Sequence, residues 1–503
     1  MLLSRRQMVK LGLMGGSALF LPDPVYDPSI LSRRINPARP LDENLSSPSV
    51  TPFARPLAIP PVLAPVSSDK SRDYYEITML ESRAEIIPGA LSTIWGYNGI
   101  YPGPTIKARS GREVVVRQIN NLPESTSIHL HGGHTPPGSD GHPYDLIAPG
   151  SSKDYYYPNN QIPATLWYHD HAVDLTGRHV YMGLAGFYIM SDDFEDGLRL
   201  PAGDHDVPLL IQDRLFNADG SLNYPLNDQS ILDGVLGDRI LVNGVIQPYF
   251  EVGKRKMRFR ILNGSNTRSY RLALSSGEPL IQIGSDGGLL SGPVPRFFIN
   301  IIPAERVDVI IDFSGYPLGT NIVLQNLLGV ESDLSDVMQF RVVRAETDDS
   351  FVPPVLREVE RIPESSAVRT RKFSLLEAPI NGRRLWTING SLFDPGRIDA
   401  APRLNDVEIW EFTSNSYDTH PMHIHDIEWQ ILDINGQRPA AGDDGWKDVF
   451  QVPALGRTRV IGKFTDLTGI YVFHCHKLEH EDHAMMAQFE VLPMQSGRSR
   501  LRP

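Results

Sequence analysis

Short apolar runs alternate with polar positions along most of this chain, and Gly, Pro, Asn and Asp separate them. Glu113 to Ile119, Met257 to Leu262 and Arg306 to Asp312 are examples, each with Val, Ile, Leu or Phe at alternating or consecutive positions. Runs of this length and period, bounded by turn residues, predict strands of β-sandwiches. Long stretches with helical periodicity are scarce. The expected fold class is all-β, and 503 residues leave room for about three domains.

Changes of composition suggest where the boundaries lie. Residues 1–30 read as a signal segment, and 31–68, rich in proline, as an extended arm whose apolar positions pack on the body. Three β-domains are expected over 69–196, 197–345 and 368–492, with a linker over 346–367 and a tail over 493–503. The formal net charge of −12 argues against nucleic-acid binding, which leaves a basic footprint. A single cysteine excludes an intramolecular disulfide framework.

That cysteine, Cys475, carries the most specific signal. It lies between His474 and His476 and is followed by His480 and Met485. Two imidazoles, a thiolate and a weak thioether make a blue (type 1) copper site, and Cys475, His480 and Met485 supply three of those four ligands. On a strand, His474 and His476 share the face that Cys475 does not. A thiolate site on one side is then joined through backbone to imidazoles on the other, which suits electron transfer to a second metal centre. Three more His-x-His steps occur: His129 with His131, His169 with His171, and His423 with His425, the last preceded by His420. One such pair is weak evidence; four, one of them straddling the only cysteine, point to a metal centre.

The stretches HLHGG, WYHDH, HPMHIH and HCHKLEHEDHAMM resemble, in order and spacing, the copper motifs of the multicopper oxidases. SDGHPYDLIAPG, LWTINGSLFDP and GWKDVFQVPALGRTRV extend the resemblance from about Tyr74 to Leu492. The flavour is that of the spore-coat laccase, bilirubin oxidase and phenoxazinone synthase group. The resemblance implies three cupredoxin-like Greek-key β-sandwiches and four copper ions: one type 1, one type 2 and two type 3. It gives His420, Cys475 and His480 to the type 1 copper with Met485 axial, and His129 and His423 to type 2. One type 3 copper would take His131, His169 and His476, the other His171, His425 and His474. The trinuclear ligands then come from the first and third domains, with the middle domain as spacer and wall of the substrate site. Glu481 is implied as a proton relay, and Asp140 as a second acid or a carboxylate that orients a ligand ring. The outer edge of His420 or His480 is where electrons are expected to arrive. His134, His142, His179 and His483 fall outside the ligand pattern, and Asp170 reads as structural.

The activity so implied is one-electron oxidation of phenols, aromatic amines or linear tetrapyrroles, coupled to reduction of dioxygen to water. The alternative is a periplasmic cuprous-ion oxidase, disfavoured because Met182, Met422 and Met486 are scattered and form no methionine-rich stretch. A non-catalytic copper carrier or envelope protein of the same fold is disfavoured because every ligand position is filled. Arg5 and Arg6 ahead of the Gly-containing apolar stretch Leu11 to Leu21 resemble a twin-arginine export signal. The expected partners are therefore a small-molecule donor, dioxygen and the twin-arginine export machinery, with a periplasmic or secreted destination and no stable membrane span. No A-x-A cleavage site follows, so cleavage and retention as an anchor both stay open.

Overall fold

A computed structural model of the chain describes residues 46–494. The twin-arginine segment, the start of the proline-rich arm and nearly all of the tail lie outside these residues. The three runs singled out above form strands Glu113–Asn120, Lys256–Asn263 and Arg306–Asp312. Period-2 alternation sends Val114 and Val116 into one core, and Met257, Phe259, Ile261, Val307, Val309 and Ile311 into another. Among the described residues the longest helix is Thr176–Met182, of 7 residues.

Among the described residues the strands form six sheets that fall in pairs along the chain. The first pair joins a five-stranded sheet, including Arg72–Ala84 and Glu113–Asn120, to a four-stranded sheet containing Ile128–His131 and Thr165–Asp170. The second pair is an eight-stranded and a five-stranded sheet spanning Asp206–Phe216 to Asp336–Arg344. The third joins a five-stranded sheet to a four-stranded one that contains His420–Ile424 and Gly469–Cys475. One pairing recurs in all three: an early strand lies parallel to a later one. Arg72–Ala84 pairs with Glu113–Asn120, Asp206–Phe216 with Lys256–Asn263, and Arg369–Ile380 with Val407–Ser414. The three pairs thus share one winding.

The described part of the arm runs extended along this body. Its backbone amides at Phe53 and Leu57 bond the carbonyls of Gln247 and Tyr249, and Leu63 bonds Thr105. The arm therefore crosses from the second sheet pair to the first.

A seam joins the three sheet pairs. Its apolar part draws Trp167 and Phe187 from the first, Leu210, Leu262 and Ile302 from the second, and Val449 from the third. Its polar part is a buried ion-pair chain. Arg306 of the second pair grips Asp448 of the third at 2.6 and 2.5 Å, and its Nε donates to the Thr165 carbonyl of the first at 2.9 Å. Lys447 meets Asp286 at 3.0 Å and Glu305 at 2.5 Å. Breaking a buried pair on one side leaves an uncompensated charge and costs roughly 3–5 kcal/mol. Arg306→Met should therefore lower the urea midpoint and melting temperature of the metal-free protein by a loss of that size. Parental stability in the variant would mean that this pair contributes nothing to the seam.

Candidate metal centre

Two strands of the first sheet pair and two of the third meet end to end at this seam. Cross-strand register sets His129 opposite His169 and His423 opposite His474. Within each His-x-His step the rings share a face, with centroids 5.6, 5.9, 4.7 and 5.6 Å apart along the chain. Alternation along the strand turns Cys475 to the other side, where its Sγ lies 3.6 Å from His420 Nδ1 and 3.5 Å from His480 Nδ1.

Ring nitrogens of the other eight histidines converge in three groups whose donor atoms lie within 4.8 Å of one another: His129, His423 and His425; His131, His169 and His476; and His171, His425 and His474; a further group of His131, His423 and Asp448 links the second to the first. The Nε2 atoms of His129 and His423 are 3.2 Å apart, and His474 Nε2 is 3.2 Å from both His171 Nε2 and His425 Nε2. Two donors each about 2 Å from a shared ion span about that distance. Every sequence-predicted histidine is thus in one of two adjoining clusters, and both clusters are buried.

The electrostatics suit a cation. Burial, followed by the neighbouring imidazoles, drives the pKa of His169, His171, His423, His425 and His476 well below the usual value. For His131 the causes are burial, then His423 and Arg306. Neutral imidazole is the metal-binding form. Several nitrogens in the cluster have no hydrogen-bond partner: His131 Nδ1, His169 Nε2 and both of His476. The far nitrogens of other rings are held, as ligating histidines usually are. His129 Nδ1 meets the Asp140 carbonyl at 2.6 Å, His423 Nδ1 the Asp448 carbonyl at 2.9 Å, and His425 Nδ1 the Asp140 carboxylate at 2.8 Å. Asp448 also places a carboxylate oxygen 3.1 Å from His131 Nε2. The Arg306 clamp of the seam therefore ends on the cluster.

At the thiol, burial pushes the Cys475 pKa far up, while the Lys477 backbone N–H pulls it down. A soft ion is what makes a thiolate here, and thiolate with imidazole selects for copper. His420 is lowered to about 4 by burial. Met485 is buried in the same apolar cluster as Cys475, and its carbonyl accepts from the Cys475 amide at 3.1 Å. Both imidazoles are covered rather than presenting a bare edge. His480 Nε2 bonds the Leu232 carbonyl at 2.8 Å, and Trp386 Nε1 donates to the same carbonyl at 3.0 Å. The Trp386 ring centre lies 4.6 Å from that of His420 and 5.4 Å from that of His480.

The two predicted acids flank the histidines. Glu481 Oε2 is 3.0 Å from His474 Nδ1, and Oε1 is 3.6 Å from His171 Nε2. Asp170 accepts from the Ser127 and Ala172 amides and from His179. His134, His142, His179 and His483 join none of the metal-sized groups found among the described residues. Asp448, Arg306, Leu232 and Trp386 are the site residues that sequence reasoning missed. Asp448 and Trp386 do lie in stretches that carried the resemblance; Arg306, on a strand of the middle sheet pair, and Leu232, in the helix Asp228–Asp233, lie in a stretch that shows no histidine signal.

Comparison with known proteins agrees with this geometry. Two family models described as multicopper oxidase match residues 79–194 and 374–495. A laccase of Bacillus subtilis is 38% identical over 87% of this chain and 98% of that protein. A bilirubin oxidase of Albifimbria verrucaria is 37% identical over 89% of this chain and 83% of that protein. The crystal structure of a laccase from Pediococcus acidilactici superposes with a TM-score of 0.80 at 34% identity, covering 90% of this chain and 98% of that one. The three sheet pairs are cupredoxin-like β-sandwiches. The chain is a three-domain member of the multicopper oxidase family, a copper-dependent oxidase.

Proposed function

We propose that this oxidase draws single electrons from phenols, aromatic amines or linear tetrapyrroles and carries four copper ions. The observation that bears most weight is the strand ending at Cys475. Its thiol belongs to one donor cluster, while its two neighbouring imidazoles belong to the other. His420, Cys475 and His480, with Met485 as weak axial ligand, hold one copper. His129 and His423 hold a second; His131, His169 and His476 a third; His171, His425 and His474 the fourth. His425 also borders the His129 group, and its 3.2 Å approach to His474 supports the assignment given. Copper, when bound, supplies centres that accept and release single electrons and reduce dioxygen to water.

The remaining chemistry belongs to the chain. Trp386 and the Leu232 peptide lie between solvent and the type 1 imidazoles, so donors deliver electrons through that layer. Glu481 lines a cavity of about 50 Å³ together with His171, Asp174 and Asp482. That is space for water beside an acid, and the arrangement fits proton delivery. Asp140 fixes the His425 ring and stands beside the cluster as a second acid. The domains run over 69–196, 197–345 and 368–492, with 346–367 as linker; the contribution of the first and third to one cluster supports that division. Export by the twin-arginine route rests on Arg5 and Arg6. Among the described residues, no helix is long and apolar enough to cross a membrane.

The covered type 1 imidazoles favour a compact donor, and this keeps a second reading in view, oxidation of Cu(I). Oxygen uptake by the copper-loaded protein with a bulky phenol and with Cu(I) separates the two. Higher kcat/KM with the phenol is expected; preference for Cu(I) would replace the laccase reading by the second. Cys475→Ser should lose the blue absorption and donor oxidation while retaining most of the other copper, measured by metal content and electron spin resonance; a blue, active variant would sink the ligand assignment. Glu481→Gln should slow turnover by about 100-fold, the scale of a positioned acid, with little change in type 1 reduction by the donor. Equal slowing of both steps would remove the proton role.

A further inference from the structure

Glu481 serves the side of the cluster where His171 and His474 lie. Another acid, its carboxylate oxygens withdrawn from solvent, stands by a different cavity, and no step above uses it. His129, His423 and His425 line a narrow space of about 10 Å³, room for about one water, which Glu428 also borders. Glu428, Ile427 and His134 are at the same time in the wall of an outer cavity of about 990 Å³, which Arg357, Trp446 and Lys463 also line. The two spaces therefore meet at Glu428. Neither the narrow space nor the outer cavity shares a lining residue with the Glu481 cavity.

Both Glu428 carboxylate oxygens are withdrawn from solvent and have no hydrogen-bond partner, as does His134 Nε2. Gly287 makes room for them: a Cβ there would fall 2.8 Å from Glu428 Oε2 and 2.4 Å from Trp446 Cβ. An unpartnered carboxylate in such a place is costly as an anion. Burial, and then Asp448, push its pKa well above the usual range; Asp286 acts the same way, against Arg306 and Lys447. A neutral acid that faces a one-water space on one side and a cavity with room for many waters on the other is built to hand on protons.

We propose that Glu428 is a second proton carrier for dioxygen reduction, linking the outer cavity to the His129–His423 side of the cluster. Each dioxygen takes four electrons from the donor and four protons from solvent and leaves as two waters. The Glu428 carboxylic acid gives a proton toward the cluster through the single intervening water. It recovers one from water in the outer cavity, so it ends each cycle as it began. This assignment rests on the reading of the histidines as the dioxygen-reducing copper cluster.

The test uses the copper-loaded full chain and Glu428→Gln. The parent should have an infrared carbonyl band of a protonated carboxylic acid that the variant lacks. Copper content, blue colour and anaerobic reduction by the donor should match the parent. Reoxidation of the reduced variant by dioxygen should be slower by at least about tenfold, and Glu428→Asp should recover part of the rate. Parental reoxidation in the copper-replete Gln variant overturns the proposal alone, as would equal slowing by Gln and Asp, which marks a packing effect. If the Gln variant does not accumulate, absence of the protonated-acid band from the parent at neutral pH overturns it. A parent that binds no copper at these histidines removes both this assignment and the cluster reading beneath it.

Discussion

The structure depends on a set of neutral imidazoles that face one another out of contact with water. His171 and His425, both held neutral by burial, turn ring nitrogens toward a common point, each 3.2 Å from His474 Nε2. Protonating one of them would add a cation to a buried, low-dielectric space beside Arg306; leaving them all bare sets lone pairs against each other. A bound metal ion relieves both costs at once. Because the donors come from the first and third sheet pairs, the same ion also ties those two together. The rings must be held nearly in place before the ion arrives. The Asp140 carboxylate on His425, the Asp448 carbonyl on His423 and the Asp448 carboxylate on His131 do this. Asp448 is in turn fixed by Arg306 of the middle sheet pair. The middle domain, expected to be a spacer, thus supplies the brace for a ligand ring.

Much of the site was legible because its chemistry is written locally. His-x-His on a strand sets two rings on one face whatever the fold, and Cys475 between two histidines turns the thiol away from them. The strands over Glu113–Asn120 and Arg306–Asp312 were legible for the same reason, since period-2 alternation reports a half-buried surface. What stayed hidden depends on contacts distant in sequence. Arg306 and Asp448 are 142 residues apart, and each reads alone as a surface charge. Leu232 acts through its carbonyl, which no side-chain pattern reports, across 248 residues to His480. Glu428 follows the His423–His425 step, but its meaning lies in the cavities on either side and in the missing Cβ of Gly287. The cover over the outer imidazole edge was hidden for the same reason: it comes from the short helix Asp228–Asp233, far from His480 in sequence.

Under the proposed function, strand alternation also keeps electrons and protons apart. Cys475 is buried in one apolar cluster with Met422, Phe450, Phe473 and Met485. An electron arriving there needs only the covalent path through one peptide on either side to reach His474 or His476. Protons cannot follow, because that path offers no chain of exchangeable groups through the apolar core. In the proposed function they come from acids placed around the histidine cluster itself, where Glu481 lies within 3.0 Å of His474 and the cavities have room for water. A donor that meets the Trp386–Leu232 layer can therefore be oxidised without admitting solvent to the cluster along the same route. The two flows meet only where dioxygen is reduced, and the separation follows from one residue pointing up a strand while its neighbours point down.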